Sequence, residues 1–238
     1  MPPTPRPFPR FVADSPQEGK PYGRWEERLL DTFAEGCAPL AEEAGAPLER
    51  DNARWFPERA WGGRVYIPVT SRTAAPDGGS IEYFGHVSFE RGPDGEEPGE
   101  MKASADFTDV TVDDNPDWKI DLNDDVIGSW RGDAGRGGDV TLVWGVPLVR
   151  GAFAATAELD GETLDQVAIA DGRFTLISVD AVAGFGDELY LQVRLWDRRL
   201  REVASESLYD EPGEEAEPPE QDDKPDDADK GASDRVVD

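Results

Sequence analysis

The chain has 238 residues, of which 52 are Asp or Glu and 24 are Lys or Arg, so its formal net charge is −28 at pH 7. Such a charge repels nucleic-acid phosphates and anionic lipid surfaces, and it attracts basic molecules. We therefore expect no direct binding to nucleic acid, no binding to membranes, and a protein partner that is basic.

Cysteine content and hydropathy restrict the class of protein further. A single cysteine, Cys37, excludes an intramolecular disulfide and a multi-cysteine zinc site. Residues 1–10 contain no apolar segment typical of a signal peptide, and no apolar run reaches the roughly 20 residues that span a bilayer. We expect a cytoplasmic protein in which Cys37 is a small buried side chain and not a reactive thiol.

The N-terminal part of the chain changes from an extended to a helical pattern. Residues 1–23 are rich in proline and polar residues and predict an extended arm. Apolar residues then recur at helical spacing. Gly36 and Pro39 predict the end of this helix, with a second short helical piece at residues 40–44. The apolar residues at helical spacing are Trp25, Leu29, Leu30 and Phe33.

From residue 65 onward the apolar residues alternate, which is typical of half-buried strands. In residues 81–89 the alternation places Tyr83 and Val87 on one face and Glu82 and His86 on the other. The alternation of residues 101–108 changes parity afterwards, which predicts a β-bulge near Asp109.

The second half of the chain predicts a central strand and two hairpins. Residues 140–149 are apolar at successive positions, as expected for a strand covered on both faces, and Pro147 marks the end of its ladder. Asp-Gly pairs at residues 160–161 and 171–172 are signals for two-residue hairpin turns.

These elements predict a mainly β fold: an antiparallel β-sandwich or barrel-like body with one N-terminal helix and disordered termini. Residues 24–208 would form one helix plus antiparallel β domain. The alternative is a split near residues 132–138, which are rich in glycine. Residues 209–238 predict a disordered acidic tail, because they offer almost no apolar surface to bury and the segment from 210 onward holds 13 acidic and 3 basic residues.

No catalytic or cofactor-binding residue is assigned. Phosphate loops, dinucleotide fingerprints and nucleophile elbows are absent from the sequence. His86 is the one histidine of the chain, so a histidine-based site would have to be built on it. Its position in the middle of a strand predicts a half-exposed side chain with no catalytic role.

One acidic pattern suggests a metal site. Two D-x-N-x-D triplets lie eight residues apart, and alternate oxygen ligands within one loop suit calcium. The glycine and the closing glutamate of an EF-hand loop are missing. The hypotheses are therefore a calcium site of another kind or two Asx-rich turns. The six candidate metal ligands are Asp113, Asn115, Asp117, Asp121, Asn123 and Asp125.

The sequence favours a non-enzymatic protein–protein interaction or adaptor module whose acidic tail provides a second contact. Two alternatives stay open. One is a carboxylate-dependent hydrolase, with or without calcium. The other is a carbohydrate or small-ligand binding β module that uses tryptophans such as Trp118 and Trp130. The sequence does not indicate the oligomeric state.

Overall fold

The computed structural model describes five stretches of the chain. The predicted arm at residues 1–23 and the predicted tail at 209–238 lie outside them, as does most of the alternative domain boundary at 132–138. The described residues are 25–91, 98–131, 137–159, 161–179 and 191–208.

Helix α1 spans Glu26–Ala44 and runs through Gly36 and Pro39 without a break. The predicted end at these residues is therefore wrong. Its apolar stripe is buried against a sheet, and such packing outweighs the cost of single helix-breaking residues. The helix ends at Gly45, which adopts the left-handed conformation with φ of 66°.

The strands form three antiparallel sheets. Sheet 1 has the order β1–β3–β4–β5, and β2 also pairs with β3. Sheet 2 has the order β10–β7–β6, and sheet 3 the order β12–β11–β8–β9. The strands are β1 (Arg54–Trp55), β2 (Arg59–Trp61), β3 (Arg64–Ala74), β4 (Ser80–Glu90), β5 (Lys102–Thr108), β6 (Ile120–Arg131), β7 (Gly137–Pro147), β8 (Ala154–Leu159), β9 (Glu162–Ala168), β10 (Phe174–Val179), β11 (Leu191–Trp196) and β12 (Glu202–Ser207).

Helix and sheets stack in four layers, with an apolar core at each of the three interfaces. Leu29 and Phe33 of α1 pack on sheet 1. The opposite face of sheet 1 packs on sheet 2 around Tyr66 and Trp144. The far face of sheet 2 packs on sheet 3 around Phe174. The mainly β, antiparallel fold class with one N-terminal helix is confirmed, and the described sheets remain open.

Strand predictions were confirmed where they depended on alternation. The two faces of β4 point to the two sides of sheet 1, since Tyr83 lies in the helix-facing core and Phe84 in the core shared with sheet 2. Strand β7 is central in sheet 2 and ends at Pro147, as expected. The β-bulge predicted near Asp109 is wrong: β5 ends at Thr108, whose hydroxyl accepts a hydrogen bond from the amide of Val110 and starts a turn.

The two Asp-Gly signals have different outcomes. Leu159 and Glu162 face each other in the β8–β9 ladder, which confirms the first hairpin. At the second signal, Asp171 and Gly172 have φ of 49° and 72°, as a type I′ turn requires. The flanking residues form only one bridge, after which β9 pairs with β8 and β10 pairs with β7. This turn therefore connects two sheets.

Residues 132–136 connect neighbouring strands of one sheet, because Arg131 and Gly137 face each other in the β6–β7 ladder. None of the helices in the described ranges is both long and apolar enough to cross a membrane.

Candidate functional site

A polar layer lies between sheets 1 and 2. Strand β6 contributes the second D-x-N-x-D triplet, Asp121, Asn123 and Asp125. In a strand, alternate residues share one face, so this spacing directs all three side chains toward sheet 1. The prediction had placed them in a loop.

Arg72 of β3 is the centre of the first cluster in this layer. It faces Glu82 in the β3–β4 ladder and donates to that carboxylate through Nε. Its second terminal nitrogen donates to Oδ2 of Asp121 across the interface, at 2.8 Å. Asp113 lies 3.9 Å from the same guanidinium. The single positive charge of Arg72 neutralises only one of the two carboxylates that it binds directly, and one of them, Glu82, is 4% exposed.

The pKa of the Asp121 carboxyl is raised from 3.8 to about 6. Burial is the largest cause and the charge of Glu82 adds to it, whereas Arg72 and Arg54 act in the opposite direction. Gly145 of β7 permits the close approach of β6, since a Cβ there would lie 2.4 Å from the carbonyl oxygen of Asp121.

The cluster forms one wall of a cleft of about 370 Å³, the Arg72 cleft. Both carboxylates on this wall already bind Arg72. Arg72 thereby links sheet 1 to β6 of sheet 2 through hydrogen bonds. The residues lining the cleft are Asp51, Asn52, Ala53, Arg54, Thr70, Arg72, Glu82, Asp121 and Val146.

His86 and Asp125 form the second cluster. Nδ1 of His86 lies 3.1 Å from Oδ2 of Asp125. The histidine is 6% exposed and its ring stacks edge-on against Tyr66, so the prediction of a half-exposed side chain is wrong. Sheet 2 covers this face of β4, which local sequence does not reveal.

The second cluster does not have the order of a catalytic triad. Ser104 interacts with Asp125, which is the acid, and a nucleophile would have to face the other ring nitrogen of His86. Burial raises the pKa of Asp125, but its interactions with His86 and Ser104 outweigh this effect and hold the pKa below its ordinary value.

The first D-x-N-x-D triplet lies in the connection between β5 and β6. Asp113 and Asp117 are exposed, and the side-chain amide of Asn115 donates to the carbonyl of Thr111 at 2.8 Å. Within the described part of the chain, no group of three or more His, Cys, Asp or Glu side chains is placed to hold a metal ion. Calcium binding stays a prediction. If calcium binds, millimolar calcium should raise the midpoint of thermal unfolding.

A separate hollow of about 530 Å³ lies where the end of α1, the β3–β4 hairpin and the end of β5 meet. We call it the acidic hollow. Four of the residues that line it carry carboxylates and none is Lys or Arg. Its lining residues are Glu43, Ala44, Ala75, Pro76, Asp77, Gly79, Ser80, Ile81, Phe107, Asp109 and Asp114.

The end of α1 adds to the negative potential of the hollow. Glu43 and Ala44 belong to the last turn of the helix, which contains no basic residue. The carbonyl groups at a helix C-terminus carry a partial negative charge that basic side chains normally offset. Here the helix end and the four carboxylates have the same sign.

The floor of the hollow is apolar. Ile81 and Phe107 belong to the helix-facing side of sheet 1, and Phe107 packs against Tyr83 with ring centroids 6.2 Å apart. An apolar floor beneath a ring of carboxylates can hold a side chain that combines an apolar stem with a positive end.

Sequence reasoning did not find the hollow. Its four acids, Glu43, Asp77, Asp109 and Asp114, come from three segments far apart in the chain and are exposed. In a chain with 52 acids, no local spacing distinguishes them from the others. The pair Arg72–Glu82 did leave a signal, because both residues interrupt alternating strands at positions that face sheet 2.

Comparison with known proteins gave no relative: no family profile, no curated protein and no solved structure matches the chain.

Proposed function

We propose that the chain is a non-enzymatic interaction module that binds a basic segment of a partner protein in the acidic hollow. The observation that carries this proposal is the hollow itself: four carboxylates and a helix C-terminus surround an apolar floor, with no cation among the lining residues.

The chemistry of the hollow suits arginine or lysine. Both side chains have an apolar stem that the floor accepts and a charged end that the carboxylates attract. Phe107 favours arginine, because a guanidinium also stacks on aromatic rings.

Other acids of the structure already have basic partners within the chain. Asp165 lies 2.6 Å from Arg59, and Asp197 lies 2.6 Å from Arg201. The ion pairs found among the described residues include none of the four carboxylates of the hollow. Among the described residues, these four groups therefore have no cationic partner.

The proposal includes two further expectations, one about the acidic C-terminal segment and one about the location of the protein in the cell. The acidic segment 209–238, which lies outside the described residues, would provide a second electrostatic contact with the partner. The protein would act in the cytoplasm, where its single buried cysteine stays reduced.

Binding of a defined basic peptide tests the proposal. We expect a fluorescent peptide of alternating arginine and threonine to bind the full chain at about 0.15 M salt. A variant with Glu43→Gln, Asp109→Asn and Asp114→Asn should weaken binding about tenfold or more, because three exposed charge contacts are lost. Asp77 is kept, since its carboxylate accepts a hydrogen bond from the amide of Gly79. Fluorescence anisotropy gives both dissociation constants.

The matched control removes the same charge elsewhere. Glu27→Gln, Glu162→Gln and Asp171→Asn change three exposed acids outside the hollow, and we expect affinity within about twofold of the parent chain. Equal weakening by the two triple variants would mean that the peptide responds only to the net negative charge of the molecule. This result would contradict the proposal.

The hydrolase alternative has one observation in its favour: Glu82 and Asp121 share the Arg72 cleft, and the pKa of Asp121 is raised to about 6. A glycoside hydrolase needs two carboxyls that reach the substrate. Here both contact Arg72 and Glu82 is buried, which favours a structural role.

The carbohydrate alternative depends on exposed tryptophans. Trp130 packs against the core between sheets 1 and 2, and Trp118 is half-buried. Both rings are therefore only partly accessible for stacking on a sugar, so the binding of a basic segment is the better supported function.

A further inference from the structure

Strand β5 forms an edge of sheet 1. It pairs with β4 on one side, and no other described strand pairs with it. An edge strand presents a row of backbone N–H and C=O groups that can pair with another chain. Such edges bind extended peptides in several classes of recognition domain.

The edge of β5 is regular enough to accept a strand. Its register with β4 runs without a shift from Lys102 opposite Ser88 to Thr108 opposite Glu82. It contains no proline and no bulge, which are two of the features that natural proteins use to block pairing at an edge.

The outer amides at the end of this edge are satisfied by nearby side chains. The amide of Phe107 donates to the carboxylate of Asp106 at 2.8 Å, and the amide of Val110 donates to the hydroxyl of Thr108 at 3.0 Å. These local bonds indicate that the Phe107 amide faces away from β4. A carbonyl from a bound segment can replace the Asp106 carboxylate.

The edge leads directly into the acidic hollow. Phe107 belongs to β5 and forms part of the floor, and Asp109 follows the strand and contributes to the rim. A segment beside Phe107 would have its alternate side chains on the helix-facing side of sheet 1, where the hollow opens. The acids near this end of the edge match a basic segment in charge.

We infer that the basic segment of the partner binds as an added strand on the edge of β5 that no described strand occupies, with a basic side chain in the acidic hollow. The inference rests on the proposed function and adds its binding mode. Backbone pairing fixes the segment along β5, and the hollow selects the charge at one position of it.

Methylation of backbone amides in the peptide tests this mode, because it removes hydrogen-bond donors and leaves the charge unchanged. The probe is the alternating arginine–threonine peptide, about as long as β5. One derivative is N-methylated at every arginine and the other at every threonine. In an added strand only one of these sets faces β5.

We expect one methylated derivative to bind about tenfold or more weakly than the parent peptide and the other to bind within about twofold of it. Equal affinities of the two derivatives would overturn the added strand, while parent binding that still depends on Glu43, Asp109 and Asp114 would leave the proposed function intact. A parent peptide that does not bind would contradict the proposed function itself.

Discussion

Two aspartates on the same face of β6 occupy opposite electrostatic environments. Asp121 shares one arginine with a second buried carboxylate, whereas Asp125 has a histidine and a serine as partners. Their pKa values are therefore shifted in opposite directions, upward for Asp121 and downward for Asp125. The two residues should affect the pH dependence of stability with opposite signs.

Asp121→Asn should stabilise the protein at pH 7 and have little effect near pH 4. The folded state holds a proton on this carboxyl up to about pH 6, and the unfolded chain only up to its ordinary value of 3.8. Between these values folded protein binds more protons, so wild-type stability falls as pH rises. The variant should gain about 1 to 3 kcal/mol above this window.

Asp125→Asn should do the reverse. A carboxyl with a lowered pKa contributes stability above its unfolded pKa and loses it as pH falls through the folded value. We expect a loss of about 1 to 2 kcal/mol at pH 7 that disappears in acid. Urea unfolding across pH measures both variants, with the exposed Asp117→Asn as the control. Parallel pH curves for Asp121→Asn and Asp125→Asn would contradict these assignments.

For individual residues, the sequence predicted which face of a strand a side chain occupies, but not what covers that face. Alternation placed Glu82 and His86 together, and the structure agrees. It did not predict that both are buried, because sheet 2 comes from residues far along the chain. The burial of Cys37 was predicted and is confirmed, and burial raises the pKa of its thiol to about 12.

At the level of elements, local rules failed where packing determined the result. Glycine at position 36 predicts a helix end by local rules, yet it is the residue that lets α1 approach β5. A Cβ at this position would lie 3.0 Å from the Cβ of Ala103 and 3.6 Å from that of Ala105. Two small alanines in β5 and one glycine in α1 together set the distance between the helix and the strand.

Gly36→Val should therefore lower the free energy of unfolding by about 2 to 3 kcal/mol, because the larger side chain forces the helix and sheet apart. Ala38→Val is the control at an exposed position of the same helix and should cost less than about 1 kcal/mol. Chemical denaturation measures both. Equal losses would contradict the role of contact with β5, since helix propensity alone favours Val over Gly at position 36.

The strands show which structural features are determined by neighbouring residues in the sequence. Their alternation and the turn at Asp171-Gly172 were visible in the sequence, since both depend on neighbouring residues. The assignment of β9 to sheet 3 and of β10 to sheet 2 was not. That assignment depends on which apolar faces meet in the folded chain. Local sequence patterns do not distinguish one apolar strand from another.

The net charge of −28 acts at the scale of the whole molecule. Self-repulsion of this size destabilises the compact state. Raising salt from about 0.01 M to about 1 M shortens the range of charge interactions from about 30 Å to about 3 Å. The thermal midpoint should then rise by several degrees. A midpoint that falls with salt would show that attractive ion pairs outweigh the repulsion.

The acidic hollow is also a property of the whole molecule, because the end of α1, the β3–β4 hairpin and the connection after β5 form it together. Composition predicted a basic partner for the protein, and it could not predict where that partner binds. The location depends on the fold, which brings together four exposed acids that have no basic partner among the described residues.

The most direct test of the account is an amide NMR titration of the full chain with the arginine–threonine peptide. We predict saturable shifts concentrated at residues 43–44, 75–81 and 103–114, which form the hollow and the edge of β5. Shifts spread evenly over exposed acidic residues, or confined to residues 209–238, would contradict the assignment of binding to the acidic hollow.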